Sequence, residues 1–193
     1  MTGLKKLLLP LCLVSLLSAC AAPSNVIDVN PAITLPQAQP SHGQALTVTA
    51  VDARADKSLA KLNRNGTLVA LQPSRDPAFL MQEVLTKQMQ ARGFNVTSAS
   101  GLNMQLTLNT LFADVQEGSL RYNIDAVADV TITLRGGHGE TFSKNYRTKH
   151  SVPGAFATSN QGIADVLEET LSQVINNMAS DPSLSDAAQR MTR

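Results

Sequence analysis

Through the middle of the chain apolar residues recur at every second position. Leu102, Met104, Leu106, Leu108 and Phe112 are followed by Tyr122, Ile124, Ala126, Ala128, Val130, Ile132 and Leu134, all even-numbered. Arg121, Asn123, Asp125, Asp129, Thr131, Thr133 and Arg135 take odd positions between them. A period of two predicts strands with one buried and one wet face, the pattern of an antiparallel sheet covered on one side. To keep the apolar set together, even must face even, so the connecting loop must be odd-numbered. Gln116-Glu117-Gly118 supplies three residues with Gly at the left-handed position, which sets Phe112 opposite Tyr122 and Leu108 opposite Ala126. Thr141 to Val152 extends the sheet, with Phe142, Tyr146 and Val152 on the buried parity. A five-residue connection through Gly136-Gly137-His138-Gly139 sets Asp129 opposite Arg147; a three-residue one sets Asp125 opposite Lys149.

On either side the period changes. Leu46 to Val51 alternates as a strand, and Thr67 to Leu71 forms a short one after the turn signal Asn65-Gly66. Ser74-Arg75-Asp76-Pro77 opens a helix with a polar cap and a proline where the first turn tolerates it; Leu80, Val84, Leu85 and Ala91 share a face, and Gly93 closes it. Ser159 to Ser180 is a second helix, with Ile163, Leu167, Leu171, Val174 and Met178 as its apolar stripe. Asp181-Pro182 ends it. One wet sheet face and two amphipathic helices predict an α+β fold: a two-layer α/β sandwich, mainly antiparallel, with two helices packed on one face.

The first residues follow neither period. Lys5 and Lys6 precede an apolar run from Leu7 to Leu17, too short for the roughly 20 residues of a membrane-spanning helix and laid out as a secretory signal peptide. Leu17-Ser18-Ala19-Cys20 resembles the lipobox of bacterial lipoproteins. The resemblance implies a diacylglycerol on the Cys20 thiol, cleavage before Cys20, and acylation of the new amino group. About two lipid signals suffice for stable anchoring. Ala21 rather than Asp after the cysteine implies, in enteric-type bacteria, sorting to the outer membrane. The expected organisation is therefore a signal peptide over 1–19, a lipidated cysteine and Pro-rich tether over 20–43, one domain over 44–182, and a polar, frayed tail over 183–193. Pro23, Pro31, Pro36 and Pro40 favour extended polyproline II, and ~3.1 Å per residue gives the tether a reach of roughly 70 Å. Its apolar stretches, Val26 to Val29 and Ile33 to Leu35, dock on the domain or on a partner.

Composition narrows the chemistry. Without residues 1–19 the chain keeps 174 residues, enough for one domain with a real core. Lys5 and Lys6 leave with the signal, so sixteen basic residues become fourteen against fifteen acidic ones. That balance lacks the basic excess of a nucleic-acid-binding protein. Cys12 is removed and Cys20 carries lipid, so no thiol remains for a disulfide, metal or nucleophile. His42, His138 and His150 have no metal-ligand spacing and read as solvated. Gly136-Gly137-His138-Gly139 joins two strands and opens no helix, so it is not a phosphate loop. No G-x-S-x-G is present. Neither a cofactor nor an enzymatic activity is expected. The charged row of Arg121, Asp125 and Asp129 with Arg147 and Lys149 is either a solvated face stitched by weak ion pairs or a docking surface, for which Arg121, Asp129 and Arg147 are the candidates. Arg54-Ala55-Asp56 and Arg75-Asp76 read as turn and cap residues.

Ser74-Arg75-Asp76, Leu85-x-Lys87-Gln88-Met89-x-Ala91-Arg92-Gly93, Ala113-Asp114-Val115, Arg121-Tyr122-Asn123-Ile124, Lys144-Asn145-Tyr146-Arg147 and Gly154-Ala155-Phe156 together resemble the YajG-type outer-membrane lipoproteins of Gram-negative bacteria. The resemblance implies a lipoprotein without an established biochemical activity and no catalytic residues. Two functions then compete. One is a non-enzymatic outer-membrane lipoprotein whose periplasmic domain binds or scaffolds an envelope component. The other is a binder of a small ligand or an envelope polymer such as peptidoglycan.

Overall fold

A computed structural model of the chain describes residues 24–38 and 43–191. The expected signal peptide, Cys20 and His42 lie outside them. The order is β1 (Val26–Ile27), β2 (Ala45–Asp52), β3 (Ala60–Arg64), β4 (Thr67–Pro73), α1 (Pro77–Ala91), β5 (Asn95–Val96), β6 (Asn103–Glu117), β7 (Arg121–Arg135), β8 (Thr141–Ala155), α2 (Asn160–Ser180) and α3 (Ser183–Arg190).

All eight strands join one mixed sheet, curled into a half-barrel, with the helices packed on it. β6 organises it. One side of β6 pairs antiparallel with β7, which pairs antiparallel with β8. The other side takes β2 along its first half and β3 along its second, both parallel. β5 adds parallel to β2, β4 closes the Asn65-Gly66 hairpin on β3, and β1 adds parallel to β4. Four of the seven pairings are parallel, so the expected mainly antiparallel sheet is corrected to a mixed one. Alternation within a strand identifies its faces but not its neighbours, and all four parallel contacts join strands that no tight turn connects.

The expected even-to-even register holds in the first half of the hairpin, displaced by four residues: Met104 faces Leu134, Leu106 faces Ile132 and Leu108 faces Val130. A bulge between Leu108 and Thr110 then shifts the register by one. Beyond it Leu111, Ala113 and Val115 turn inward, against Ala128, Ala126 and Ile124, and Phe112 points outward. The turn also differs. Glu117 faces Tyr122, and the Gly118 N–H donates to the Arg121 carbonyl at 2.8 Å. Ser119 and Leu120 make the bend, and Gly118 is not left-handed. The next connection has five residues, with Asp129 opposite Arg147.

Both long helices start where the caps predict. Asp76 accepts from the Ala78 and Phe79 N–H groups with Pro77 in the first turn, and Ser159 accepts from Gly162 N–H. The stripe Ile163, Leu167, Leu171, Val174 and Met178 is fully buried on the concave face. A third helix replaces the expected frayed tail. Leu184, Ala187 and Ala188 are buried, at the spacing of one helical face, and the Asp181 carboxylate accepts from Ser183 N–H to restart the chain after α2.

The Pro-rich segment docks on the domain. Ile27 is buried in β1, Asn30 N–H donates to Glu168, Ala32 N–H donates to the Ser172 hydroxyl, and the Thr34 carbonyl accepts from the Gln88 amide. Residues 24–36 thus form a strap along the helices from one end of the sheet to the other, and the free reach expected of the tether is lost along that length.

Candidate docking face and the two ends of the sheet

Asp129 is held on the convex face. Its carboxylate accepts from the side-chain amides of Asn109 at 3.0 Å and Asn145 at 2.7 Å, and Arg147 Nη1 lies 3.5 Å away. Asn109 sits in the bulge, which swings its amide over Asp129 and Thr131. The carboxylate is 8 % exposed as a residue, whereas the Arg147 side chain is about half exposed. Arg121 does not join them. It faces Ala155, eight residues along β7 from Asp129, or about 27 Å at the rise of a strand. Of the three candidate docking residues, two meet and the third stands at the far end of the strand. The network presents side-chain amides, the Thr131 hydroxyl and a guanidinium, groups suited to polar recognition.

Beyond this face, β8 has a strand neighbour on one side only among the described residues. It offers a fifteen-residue edge that carries Lys144, Arg147, Lys149 and Pro153. Exposed edges invite added strands, and lysines and prolines are what such edges use to limit indiscriminate pairing.

Arg54, read from sequence as a turn residue, is buried where β2 and β3 part. Its guanidinium donates to both Asp52 oxygens at 3.0 and 2.9 Å and to the Leu111 carbonyl. It therefore fills the gap beside β6 and satisfies a carbonyl there. Burial raises the Asp52 pKa, but the hydrogen bonds from Arg54 and Lys57 outweigh it and hold the carboxyl below its usual value.

The end of the sheet where α2 finishes is closed by polar groups. Arg92 is 1 % exposed. Its guanidinium donates to the carbonyls of Met178, Ala179 and Asp181 at 2.8, 3.0 and 3.1 Å, satisfying acceptors that a helix C-terminus leaves open and placing a cation at the negative end of its dipole. Burial lowers the Arg92 pKa. Next to it, Tyr146 OH donates to Asp181 Oδ2 at 2.6 Å, and Lys144 Nζ lies 2.5 Å from the same oxygen. Burial works against the Asp181 carboxylate, but the hydrogen bonds from Lys144, Tyr146 and Ser183 prevail and hold its pKa well down. Burial, then the bond to Asp181, pushes Tyr146 well above its ordinary value. A cavity of about 360 Å³ between the strap and Pro182 adjoins the cluster. Its polar groups bind one another and make a structural clamp. Only Arg92 had a sequence cue, as the basic residue directly before the closing Gly93 of α1, and its guanidinium caps the end of α2 instead of its own helix.

The opposite end gathers Ser24, the β3–β4 hairpin tip, Glu117 and the start of α2 around an open cleft of about 620 Å³. Arg64 spans it, donating to the side-chain oxygens of Asn25 and Asn160, and Asn160 donates to the Ser24 carbonyl. His138 is exposed in the turn at the other end, and His150 is half-buried on β8. Among the described residues no group of three His, Cys, Asp or Glu side chains is placed to hold a metal ion, and no helix is long and apolar enough to cross a membrane.

A family model described as "Uncharacterized lipoprotein" matches residues 31–189. The chain is 42 % identical over 190 residues to the uncharacterized lipoprotein YajG of Escherichia coli K12, covering 98 % of this chain and 99 % of that one. The YajG of E. coli O6:H1 matches to the same extent. Among solved structures, a Xanthomonas campestris protein is similar with a TM-score of 0.55 at 14 % identity, covering 88 % of this chain and all of that one. That likeness supports the fold.

Proposed function

Because the chain belongs to the family of uncharacterized lipoproteins that includes YajG, we propose that it is a non-enzymatic lipoprotein of the outer membrane, held through Cys20, whose periplasmic domain binds or scaffolds an envelope component. The observation that carries this reading is the exposed edge of β8 beside the Asp129–Arg147 face. An extended segment of a partner would add to that edge through main-chain hydrogen bonds, and the Arg147 and Lys149 side chains would select its charge. A weak contact suffices, since two molecules tied to one membrane meet at raised effective concentration. Binding of a small ligand or of a polymer such as peptidoglycan is favoured instead by the cleft around Arg64.

Photo-crosslinking in living cells separates the two. Probes at Arg147, Lys149 and Ser151 should give one discrete adduct, and probes at Asn63 and Gln161 in the cleft none. Adducts from the cleft alone would favour the ligand binder. Cys20→Ser should leave an uncleaved precursor; a mature-sized, membrane-bound Cys20→Ser protein would refute attachment through Cys20.

A further inference from the structure

The most exposed large apolar residues of the domain are Phe156, Leu120 and Leu68, at 74, 70 and 70 %. All three stand at the end of the sheet that also holds Ser24. Leu120 is in the β6–β7 turn, and Phe156 follows β8 directly, donating its N–H to the Leu120 carbonyl at 3.0 Å. Leu68 faces Asn63, two places from the β3–β4 turn. Both members of the bonded pair break a local rule. Hairpin bends favour Gly, Asn, Asp, Ser or Pro, yet one of the two bend residues is leucine. Phe156 has φ +65°, a left-handed conformation that is costly for a bulky side chain. Residues kept in such conformations concentrate at functional sites.

Chain length says what lies over them. β1 runs parallel to β4, and Val26 faces Gln72. The chain N-terminal to β1 therefore leaves towards the β3–β4 turn, and Ser24 sits about three residues, or roughly 10 Å, short of the start of β4. Only residues 21–23 separate Ser24 from Cys20, a span of at most about 14 Å. A lipid on Cys20 thus brings the bilayer surface to the level of these turns. The strap is bonded to α2 and α1 from Asn30 to Thr34, so the domain is not free to hang at the length of a 23-residue tether.

We propose that Phe156 and Leu120, with Leu68 beside them, form a membrane-contacting tip that enters the interfacial region of the bilayer bearing the anchor. The proposal rests on the reading that Cys20 is lipidated. Arg121 follows Leu120 and is exposed beside the tip, where a cation meets anionic headgroups. Glu117 lies on the cleft side of the same turn. Shallow insertion of apolar side chains beside a basic residue is how peripheral proteins rest on a membrane. Two independent tethers, the lipid and the tip, would fix the orientation of the domain and hold β8 upright from the surface.

The chain contains no tryptophan, so one substitution provides a sole indole. The mature lipidated protein carrying Phe156→Trp, and separately Leu120→Trp, is reconstituted into vesicles of phosphatidylethanolamine and phosphatidylglycerol with brominated acyl chains. His138→Trp, in the turn at the other end, is the reference. The indoles at positions 156 and 120 should shift to the blue and lose most of their emission, while that at 138 keeps its own. If the protein floats with the vesicles and all three positions are quenched equally, or none is, the tip is overturned and the anchor stands. If the protein does not float, the lipidated Cys20 is overturned, and the tip with it.

Discussion

The two ends of the sheet solve opposite problems with the same strands. Where α2 ends, the polar groups are inside: Arg92 is buried among three carbonyls, and Asp181, Tyr146 and Lys144 bind one another. Where α2 begins, apolar groups are outside, and Phe156, Leu120 and Leu68 face outward. The first end inverts the usual placement of polar residues and gives Arg92, Asp181, Tyr146 and Lys144 each a partner. The second inverts the placement of apolar residues and leaves them at least 70 % exposed. The difference teaches that an unusual residue with its interactions complete is architecture, whereas one left incomplete points away from the chain.

The largest effect should come from opening the clamp. Arg92→Met keeps most of the apolar stem of the side chain and removes every bond from the guanidinium to Met178, Ala179 and Asp181. Hydrogen bonds to charged groups contribute about 1.5–3 kcal/mol, and stranded buried acceptors add a further cost. Urea unfolding of the soluble domain should show a loss of about 3 kcal/mol. A loss below about 1 kcal/mol would mean that water replaces the guanidinium and that this end is no more structural than the other.

The clamp should also set how stability depends on pH. Asp181 has its folded-state pKa lowered, so its contribution is complete above the ordinary carboxylate pKa of about 3.9 and is lost as the pH falls through the lower folded value. Tyr146 has its folded-state pKa raised. The unfolded chain then ionises first, and stability falls above about pH 10. Thermal unfolding should therefore be flat between these limits for the clamp and fall on both sides. Asp181→Asn should lower the plateau and flatten the acid limb. An acid limb identical in Asp181→Asn and the parent would place the acid-sensitive group elsewhere.

Legibility in the sequence followed the range of the interactions. The caps Asp76 and Ser159, the Asn65-Gly66 turn and both apolar helix stripes were readable, because each depends on residues close in the chain; the pairing of Asp129 with Arg147 was one of two registers that an odd-numbered loop allowed. The bulge at Asn109 was legible in principle: the apolar parity passes from even to odd at Leu111, Ala113 and Val115, but apolar Phe112 at the next even position masked the change. β1 and β5 escaped because each is two residues long with a distant partner, and β3 because its five residues hold only Ala60 and Leu62 as apolar positions. Ala187 and Ala188 gave α3 too little apolar signal to separate it from a tail. The candidate face was half legible, since Asp129 and Arg147 share a register position while Arg121 shares only a parity. The clamp was nearly invisible, because nothing near Arg92 names carbonyls more than eighty residues away.

The smallest effect should come from the other end, and its sign matters more than its size. Phe156→Gly removes a side chain that is three-quarters exposed and so packs little against the domain. It also places at φ +65° the residue that accepts this conformation without steric cost, a relief of about 1 kcal/mol that is partly offset by the greater freedom of glycine in the unfolded chain. The soluble domain should be as stable as the parent or up to about 1 kcal/mol more stable. Gly154, two residues earlier, makes the contrast. A Cβ there would run into the Tyr122 ring that covers it, so Gly154→Ala should destabilise by about 1–3 kcal/mol. Equal losses at the two positions would make Phe156 a packing residue like any other. A neutral or stabilising Phe156→Gly beside a costly Gly154→Ala would mean that phenylalanine is retained where the fold itself prefers glycine, as expected of a residue kept for what it touches outside the chain.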